Sequence, residues 1–297
     1  MLRNILKNKV FYAFVIPGFV LVLIFNYSPL YFIQVAFKSY RITKPLSEAP
    51  WVGFVWFERL FATPHFMRAF RNTLIISAAK LLFGFPAPII LALLLNELRS
   101  EGPKRIFQNL FYLPNFVSWA VIGGIMFATL RAIGPVPNLM AAMGLEPIFF
   151  LTDPRYFRGL LVISDIWKTM GWGTIIYLAA FSRINPELYE AARSDGAGRF
   201  RQMWHITIPG IMEIVGILMI LNLSGLLRVG FEQVLVLYSQ DVLEIADVLE
   251  TYIYRMGLAQ RQYSFAAAAG IFHSLAASIL LIAANYGARR FGLRGLF

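Results

Sequence analysis

Long apolar runs separated by shorter polar intervals dominate the chain, and six of them stand out, at residues 10–37, 73–95, 110–130, 159–181, 211–227 and 264–288. A bilayer core about 30 Å thick needs about 20 apolar residues of helix to cross it. The pattern therefore predicts an all-α integral membrane protein with six transmembrane helices. The first run contains Pro17 and Pro29, where kinks are expected; the second carries Lys80 and is interrupted over Phe83–Pro88. Gly123 and Gly124 in the third run offer a place for another helix to approach closely. The fourth holds Asp165, Lys168 and the Gly171–Gly173 segment. With no fixed-period repeat, low-complexity tract or interdomain linker in view, residues 1–297 read as one transmembrane domain.

The polar intervals supply the connections. Residues 38–71 are rich in aromatics, with Trp51, Trp56, Phe57, Phe61 and Phe66 suited to a membrane–water boundary. Arg99–Arg105 is a short basic turn. The segment 131–155, with Gly134-Pro135, Pro137, Gly144 and Pro154, reads as an irregular external loop, and 228–261 as an acidic return loop with Glu232, Asp241, Glu244, Asp247 and Glu250. An even number of spans puts both termini on one side, together with the interval 184–210. Arg3, Lys7, Lys9, Arg99, Lys104, Arg105, Arg183, Arg193, Arg199, Arg201, Arg289, Arg290 and Arg294 mark that side. Basic residues are almost as numerous on the other, so charge asymmetry decides orientation only weakly.

Composition agrees with the membrane reading. Of 297 residues, 58% are hydrophobic and 14% charged, and the mean hydropathy is +0.63. The net charge of +11 would suggest nucleic acid in a soluble protein; here it reads as loop charge that orients spans, and no nucleic-acid partner is expected. The chain has no cysteine, which removes disulfides and thiol metal sites. No metal site is expected. The first apolar run is too long for a signal-peptide core and lacks a clear cleavage site, so it reads as a retained span. There is no GxxxxGK loop for nucleotide and no Ser-His-Asp or paired-carboxylate arrangement outside loops, so no catalytic residue is assigned.

The interval 184–210 has a specific internal order. Asn185-Pro186 is a helix start, with a short helix through Arg193; Asp195-Gly196 supplies a turn; Phe200–Ile206 forms a second short helix ended by Pro209. Within it stand Glu190-Ala191-Ala192, three residues, Gly196, nine residues, Ile206, one residue, then Ile208-Pro209. This spacing resembles the EAA motif of ATP-binding-cassette importer permeases, with Ile208 where the family usually has Leu. The resemblance implies a type I permease core whose interval between helices four and five is a cytoplasmic coupling loop, docking through Glu190, Ala191, Ala192, Gly196, Ile206 and Pro209. It further implies a second homologous permease subunit, two cytoplasmic ATPase subunits that bind the ATP and Mg, and a periplasmic or extracellular solute-binding protein. The chain itself is then a non-catalytic, cofactor-free subunit in a bacterial cytoplasmic membrane, in contact with lipid.

The recognisable part runs from about Phe70 to the C-terminus, and Gly230–Leu258 looks most like the branch that imports polysaccharide fragments, alginate-type systems included. In such permeases the substrate cavity lies between the fourth, fifth and sixth helices, which implies Trp167, Lys168, Trp172, Asn222, Gly225 and Arg228 as pathway residues. An aromatic face stacks on a sugar ring and a cation pairs with a carboxylate, so the expected cargo is an acidic oligosaccharide, alginate- or pectin-like, with a neutral one as the alternative. The residues alone leave other assignments open. Asp165 and Lys168, three apart, fit a structural ion pair as well as a pathway role, and Lys80 fits a bond to carbonyls freed by Pro86 and Pro88. His273 reads as a satisfied interior histidine. Asp165, Lys80 and His273 would also suit an ion-coupled secondary transporter, although no inverted repeat accompanies them. A membrane glycosyltransferase would want more acidic residues than the 184–210 interval carries.

Overall fold

The computed structural model describes residues 9–98 and 100–290; Arg3, Lys7, Arg99 and Arg294 lie outside them. Regular structure in the described residues is helical apart from a single antiparallel bridge between Lys38 and Trp51. Among the described residues five helices are long and apolar enough to cross a membrane: Ala13–Phe37, Pro64–Asn96, Trp119–Ala142, Arg199–Ser224 and Tyr263–Gly287. The expected fourth span corresponds to the helix Pro154–Phe181, 28 residues long, or about 42 Å at 1.5 Å per residue. It has the length of a span but carries Arg155, Arg158, Asp165 and Lys168.

Tertiary contacts group the described chain into two compact units, residues 9–63 with 253–272 and residues 64–252 with 273–290. In the first, a helix over Lys9–Val22 passes through a wide π-type turn, Leu23–Tyr27, into a tight helix, Ser28–Phe37. This change of pitch at Pro29 replaces the simple kink expected from sequence, because proline donates no N–H and its neighbours must re-pair. Phe37 stacks on Trp51 at 5.6 Å. The Ser264 hydroxyl donates to the Lys38 carbonyl at 2.6 Å while accepting from the Tyr40 N–H at 2.9 Å.

The second unit is built on Pro154–Phe181. Asp153 caps it by accepting from the Arg155 N–H at 2.9 Å, and the Arg155 guanidinium and backbone N–H hold the exposed Asp153 carboxyl below its usual range. Pro64–Gly84, Pro86–Asn96, Glu101–Phe116 and Ile208–Ser224 all pack against this helix. Small residues permit the approach: a Cβ at Gly171 would fall on the Phe111 carbonyl oxygen, and one at Gly173 would stand 3.0 Å from the Pro88 ring.

Several spans differ from their sequence outlines. The second begins at Pro64 rather than 73, since Phe66, Ala69, Thr73 and Ile76 continue one buried stripe at helical spacing, and it breaks at Phe85 before Pro86. The third is two helices, Glu101–Phe116 and Trp119–Leu130, because Val117 turns extended and Ser118 caps the second by accepting from the Val121 N–H. Of its glycines, Gly123 faces Val236 closely and Gly124 faces open space. The segment 131–155, expected to be an irregular external loop, contains a helix, Pro135–Ala142. The fifth span starts at Arg199 and runs through Pro209 instead of beginning after it. A π-type turn over Met203–Thr207 widens the helix there, which removes the clash of a proline ring with the carbonyl four residues back.

The largest correction concerns residues 228–261. They form short helices at Phe231–Leu237, Leu243–Ala246 and Leu249–Tyr254. Val229, Val234, Leu237, Val242, Ala246 and Val248 are buried in one core with Ile76, Leu151, Phe157 and Leu161. Helices of four to seven residues are too short for a periodic signal, so the acids dominated the sequence reading. Outside such cores the apolar faces stay open: Phe14, Phe19, Leu82 and Ile279 are all exposed, which suits lipid and would be costly in water.

Overpacking the central contact gives the first prediction. Gly171→Val places side-chain atoms on the Phe111 carbonyl and should cost about 1–3 kcal/mol, read as a lowered thermal midpoint of the purified protein in detergent, whereas Gly124→Ala should leave the midpoint unchanged or slightly raised.

Candidate functional site

Two helix breaks open a cavity of about 410 Å³ beside the central helix. On one side Pro64–Gly84 gives way at Phe85 to Pro86–Asn96, and the Thr174 hydroxyl reaches the Pro88 carbonyl at 3.2 Å. On the other, Ile208–Ser224 ends at Gly225 and the chain turns, with the Arg228 N–H donating to the Gly225 carbonyl at 2.8 Å. Gly230 adopts φ +97°, a left-handed conformation that favours glycine. It lies against Lys80: a Cβ there would stand 3.4 Å from the ammonium nitrogen.

Of the expected pathway residues, Trp172, Asn222, Gly225 and Arg228 line this cavity and Trp167 and Lys168 do not. Trp172 is 51% exposed and held edge to face by Phe116 at 5.8 Å, leaving a ring face available. The Asn222 amide donates to the Leu218 carbonyl at 2.8 Å. No described residue forms a side-chain hydrogen bond or ion pair with the Arg228 guanidinium, which is exposed at the wall. Trp167 is exposed elsewhere on the helix.

Lys168 has a different job. Only 9% exposed, its ammonium donates to the carbonyls of Pro114 at 3.2 Å, Asn115 at 3.1 Å and Val117, and it lies 5.6 Å from the centre of the Trp119 ring. These are the carbonyls orphaned by the break in the third span. Lysine meets them there as a buried cap. Asp165 and Lys168 therefore form no pair. Asp165 instead meets Lys80 from the facing helix at 3.1 Å.

Lys80 also donates to the Val229 carbonyl at 2.6 Å and to the Gln233 side-chain oxygen. Gln233 in turn donates to the Leu161 carbonyl at 2.7 Å and to Ser164 at 2.9 Å. The carbonyl that Lys80 takes comes from the 225–230 turn, not from the Pro86–Pro88 break, where sequence placed its partner. Lys80 and Asp165 both line the cavity. Their charge within apolar runs was the signal that marked them; their pairing was not visible. Gln233 and Thr174 carried no such signal. His273 is satisfied, its Nε2–H donating to the Leu227 carbonyl at 3.2 Å.

At 184–210 the Asn185 side chain accepts from the Glu187 N–H at 3.0 Å and opens the helix Pro186–Ser194. Gly196 follows with φ +75°, closing the turn as the Ala197 N–H donates to the Ala192 carbonyl at 2.8 Å. Glu190, Ala191, Gly196 and Pro209 are exposed, while Ala192 and Ile206 are half-buried. The loop is braced twice. Tyr189 and Thr207 share a hydrogen bond of 3.0 Å, and Arg199 meets the Glu97 carboxylate at 3.5 Å beyond the end of Pro86–Asn96.

A double-mutant cycle tests the inner pair. Lys80→Met leaves the Asp165 carboxylate without its cation, and Asp165→Asn leaves the cation with neutral acceptors. Each single change should lower thermal stability, and Lys80→Met/Asp165→Asn should recover part of the loss, with a coupling of about 1–3 kcal/mol. Strictly additive losses would sink the pairing.

Comparison with known proteins places this geometry. Residues 84–292 match the family described as binding-protein-dependent transport system inner membrane component. Protein LplB of Bacillus subtilis (strain 168) is 44% identical over 292 residues, covering 98% of this chain and 92% of the relative. The polygalacturonan/rhamnogalacturonan transport system permease protein YteP of the same organism is 41% identical over 298 residues, covering 100% and 93%. Among solved structures, a bacterial ABC transporter involved in the import of the acidic polysaccharide alginate has a chain with TM-score 0.90 and 41% identity, covering 97% of this chain and 98% of that one. A bacterial alginate ABC transporter in complex with alginate pentasaccharide-bound periplasmic protein gives TM-score 0.90 and 40% identity, covering 99% of each chain. The chain therefore belongs to the binding-protein-dependent inner membrane components, as a multi-pass, non-catalytic permease subunit of the ATP-binding-cassette importer type.

Proposed function

We propose that this chain forms part of the translocation pathway for an acidic oligosaccharide in a bacterial cytoplasmic membrane. The observation that carries the reading is the Arg228 guanidinium, which stands at the cavity wall without a side-chain partner among the described residues. A guanidinium with no side-chain hydrogen bond is open to a uronate carboxylate, which would meet it with a forked, charge-assisted hydrogen bond. Trp172 offers an aromatic face to the sugar ring from the central helix. The permease relatives include one named for polygalacturonan and rhamnogalacturonan, and two similar structures are of alginate transporters; these polymers are acidic.

Residues 38–71, which this reading puts on the external side, also carry Lys38, Arg41, Lys44, Arg59, Arg68 and Arg71. Lys38 donates to the Leu46 carbonyl at 3.0 Å, Arg59 lies over the rings of Trp56 and Phe265, and Arg68 pairs with Glu244. Among the described residues only the Arg68 charge is neutralised by a carboxylate; the others keep theirs, but exposed loop charges are screened by salt over about 10 Å, so selectivity is assigned to the cavity.

On this reading a second homologous permease subunit completes the pathway, an external solute-binding protein delivers the sugar, and two cytoplasmic ATPase subunits bind ATP and Mg. The helix Pro186–Ser194 presents Glu190 and Ala191 outward as the face that docks on one ATPase. Its bracing through Tyr189, Thr207, Arg199 and Glu97 suits it to pass a displacement into the spans instead of absorbing it.

Two measurements on the assembled transporter check the proposal. Uronic-acid oligosaccharides should stimulate ATP hydrolysis and matched neutral ones should not, with Arg228→Gln weakening the uronate response about tenfold or more, as loss of a charge-assisted pair of about 1.5–3 kcal/mol implies; equal stimulation by neutral sugars refutes the acidic assignment. Glu190→Lys and Gly196→Asp should each abolish stimulated hydrolysis while leaving the chain folded in the membrane, the first by reversing an interface charge and the second by straining the positive φ at Gly196. Full activity in both would remove the docking role.

A further inference from the structure

One half-buried acid behind the cavity is not used by the reading above. Glu250, on Leu249–Tyr254, accepts a hydrogen bond from the Phe231 N–H, one residue beyond Gly230 of the cavity wall. Its second oxygen, Oε2, is buried and has no hydrogen-bond partner among the described residues. A carboxylate oxygen left bare in this way is costly when charged, and its retention asks for a reason. Burial pushes the Glu250 carboxyl up, against the opposing pull of His273, Arg228, Lys80 and the Phe231 N–H.

The groups that face it come from each surrounding element: Lys80 from Pro64–Gly84, Arg228 from the turn after Ile208–Ser224, and His273 from Tyr263–Arg290. Asp165 of the central helix joins through Lys80. The His273 Nε2–H donates to the Leu227 carbonyl, and Arg228 has no side-chain hydrogen bond or ion pair among the described residues. Glu250 and the carboxylate of an arriving uronate are thus drawn by the same guanidinium. Asp165 is committed to Lys80 at 3.1 Å. Glu250 has the bare oxygen.

Resting on the acidic-substrate reading, we propose that Glu250 is the internal counter-ion of the cavity, standing in for the substrate carboxylate and taking a proton on Oε2 when an anionic sugar enters. The proton comes from solvent and returns to it when the sugar leaves; no other bond changes. Glu250 is thereby a specificity-determining residue. Ionised, it opposes anionic cargo by competing for Arg228; protonated, it leaves Arg228 free. Because binding takes up a proton, the affinity for an anionic sugar falls as pH rises, while that for a neutral sugar does not.

The test uses the complete transporter in proteoliposomes with the same pH on both sides, and reads the uronate oligosaccharide concentration giving half-maximal stimulation of ATP hydrolysis from about pH 5.5 to about pH 8, where the sugar's own carboxylates stay ionised. In the wild type this concentration should rise with pH, by up to about tenfold per unit for one linked proton, with no matching trend for a neutral oligosaccharide of equal length. His273→Gln should keep the slope, and Glu250→Gln should abolish it and bind the uronate more tightly at the alkaline end. If Glu250→Gln does not assemble, the wild type and His273→Gln still decide: a uronate-specific slope in both supports the counter-ion. A flat uronate response, a slope lost in His273→Gln, or an undiminished slope in Glu250→Gln overturns it. Uronate-selective stimulation without a slope removes only this inference, whereas absence of uronate selectivity at every pH removes the acidic-substrate reading as well.

Discussion

The ion pair between Lys80 and Asp165, 3.1 Å apart, is the contact on which the second unit turns. A charge among apolar spans is tolerated only when protein atoms replace the water it has lost. Lys80 meets that demand with three ligands from three segments: the central helix, the 225–230 turn and the helix Phe231–Leu237. Gln233 then carries the chain of bonds back to Leu161 and Ser164 on the central helix. One lysine thus ties a facing helix, a turn and a short helix to Pro154–Phe181.

The same constraint accounts for the helix breaks. Each break frees backbone carbonyls that have no water to turn to. Lys168 collects those of Pro114, Asn115 and Val117, Thr174 takes that of Pro88, and His273 takes that of Leu227. Polar side chains in the spans are therefore mostly committed to backbone repair. Arg228 stands apart because no such duty falls on it, and its position at the wall of a cavity bounded by two breaks gives the site its sign. The distinction between a cation that repairs and a cation that is free is what separates Lys168 from Arg228, although both looked alike as charges beside apolar runs.

The 184–210 segment reflects a second kind of economy. Its local chemistry is nearly self-sufficient: an asparagine cap, a proline at the first turn, and a glycine at φ +75°. It is braced internally by Tyr189–Thr207 and tied to the end of Pro86–Asn96 by Arg199–Glu97. The π-type turn over Met203–Thr207 lets the following helix run straight through Pro209 into the span, so that loop and span are one continuous element.

Much of this was legible in the chain because it is local. Apolar run length fixed the class of protein, since span length is set by bilayer thickness. The Asn185-Pro186 cap and the glycine turn at Gly196 could be placed because caps and turns depend on neighbours within a few residues. The EAA-like spacing carried the family. What the chain could not disclose was pairing across distance: that Asp165 faces Lys80 and not Lys168, that Lys168 caps a broken helix, and that Gln233 belongs to a charge network. Residues three apart on one helix look like partners in sequence, yet the deeper stabilisation came from carbonyls and a lysine brought in from other elements. Likewise the acids of 228–261 read as a loop, because helices of four to seven residues show no period until Ile76, Phe157 and Leu161 supply the core they bury against. Sequence determined which segments cross or turn; only the packed structure decided which charges are satisfied and which remain for a ligand, because satisfaction depends on atoms that lie far apart along the chain.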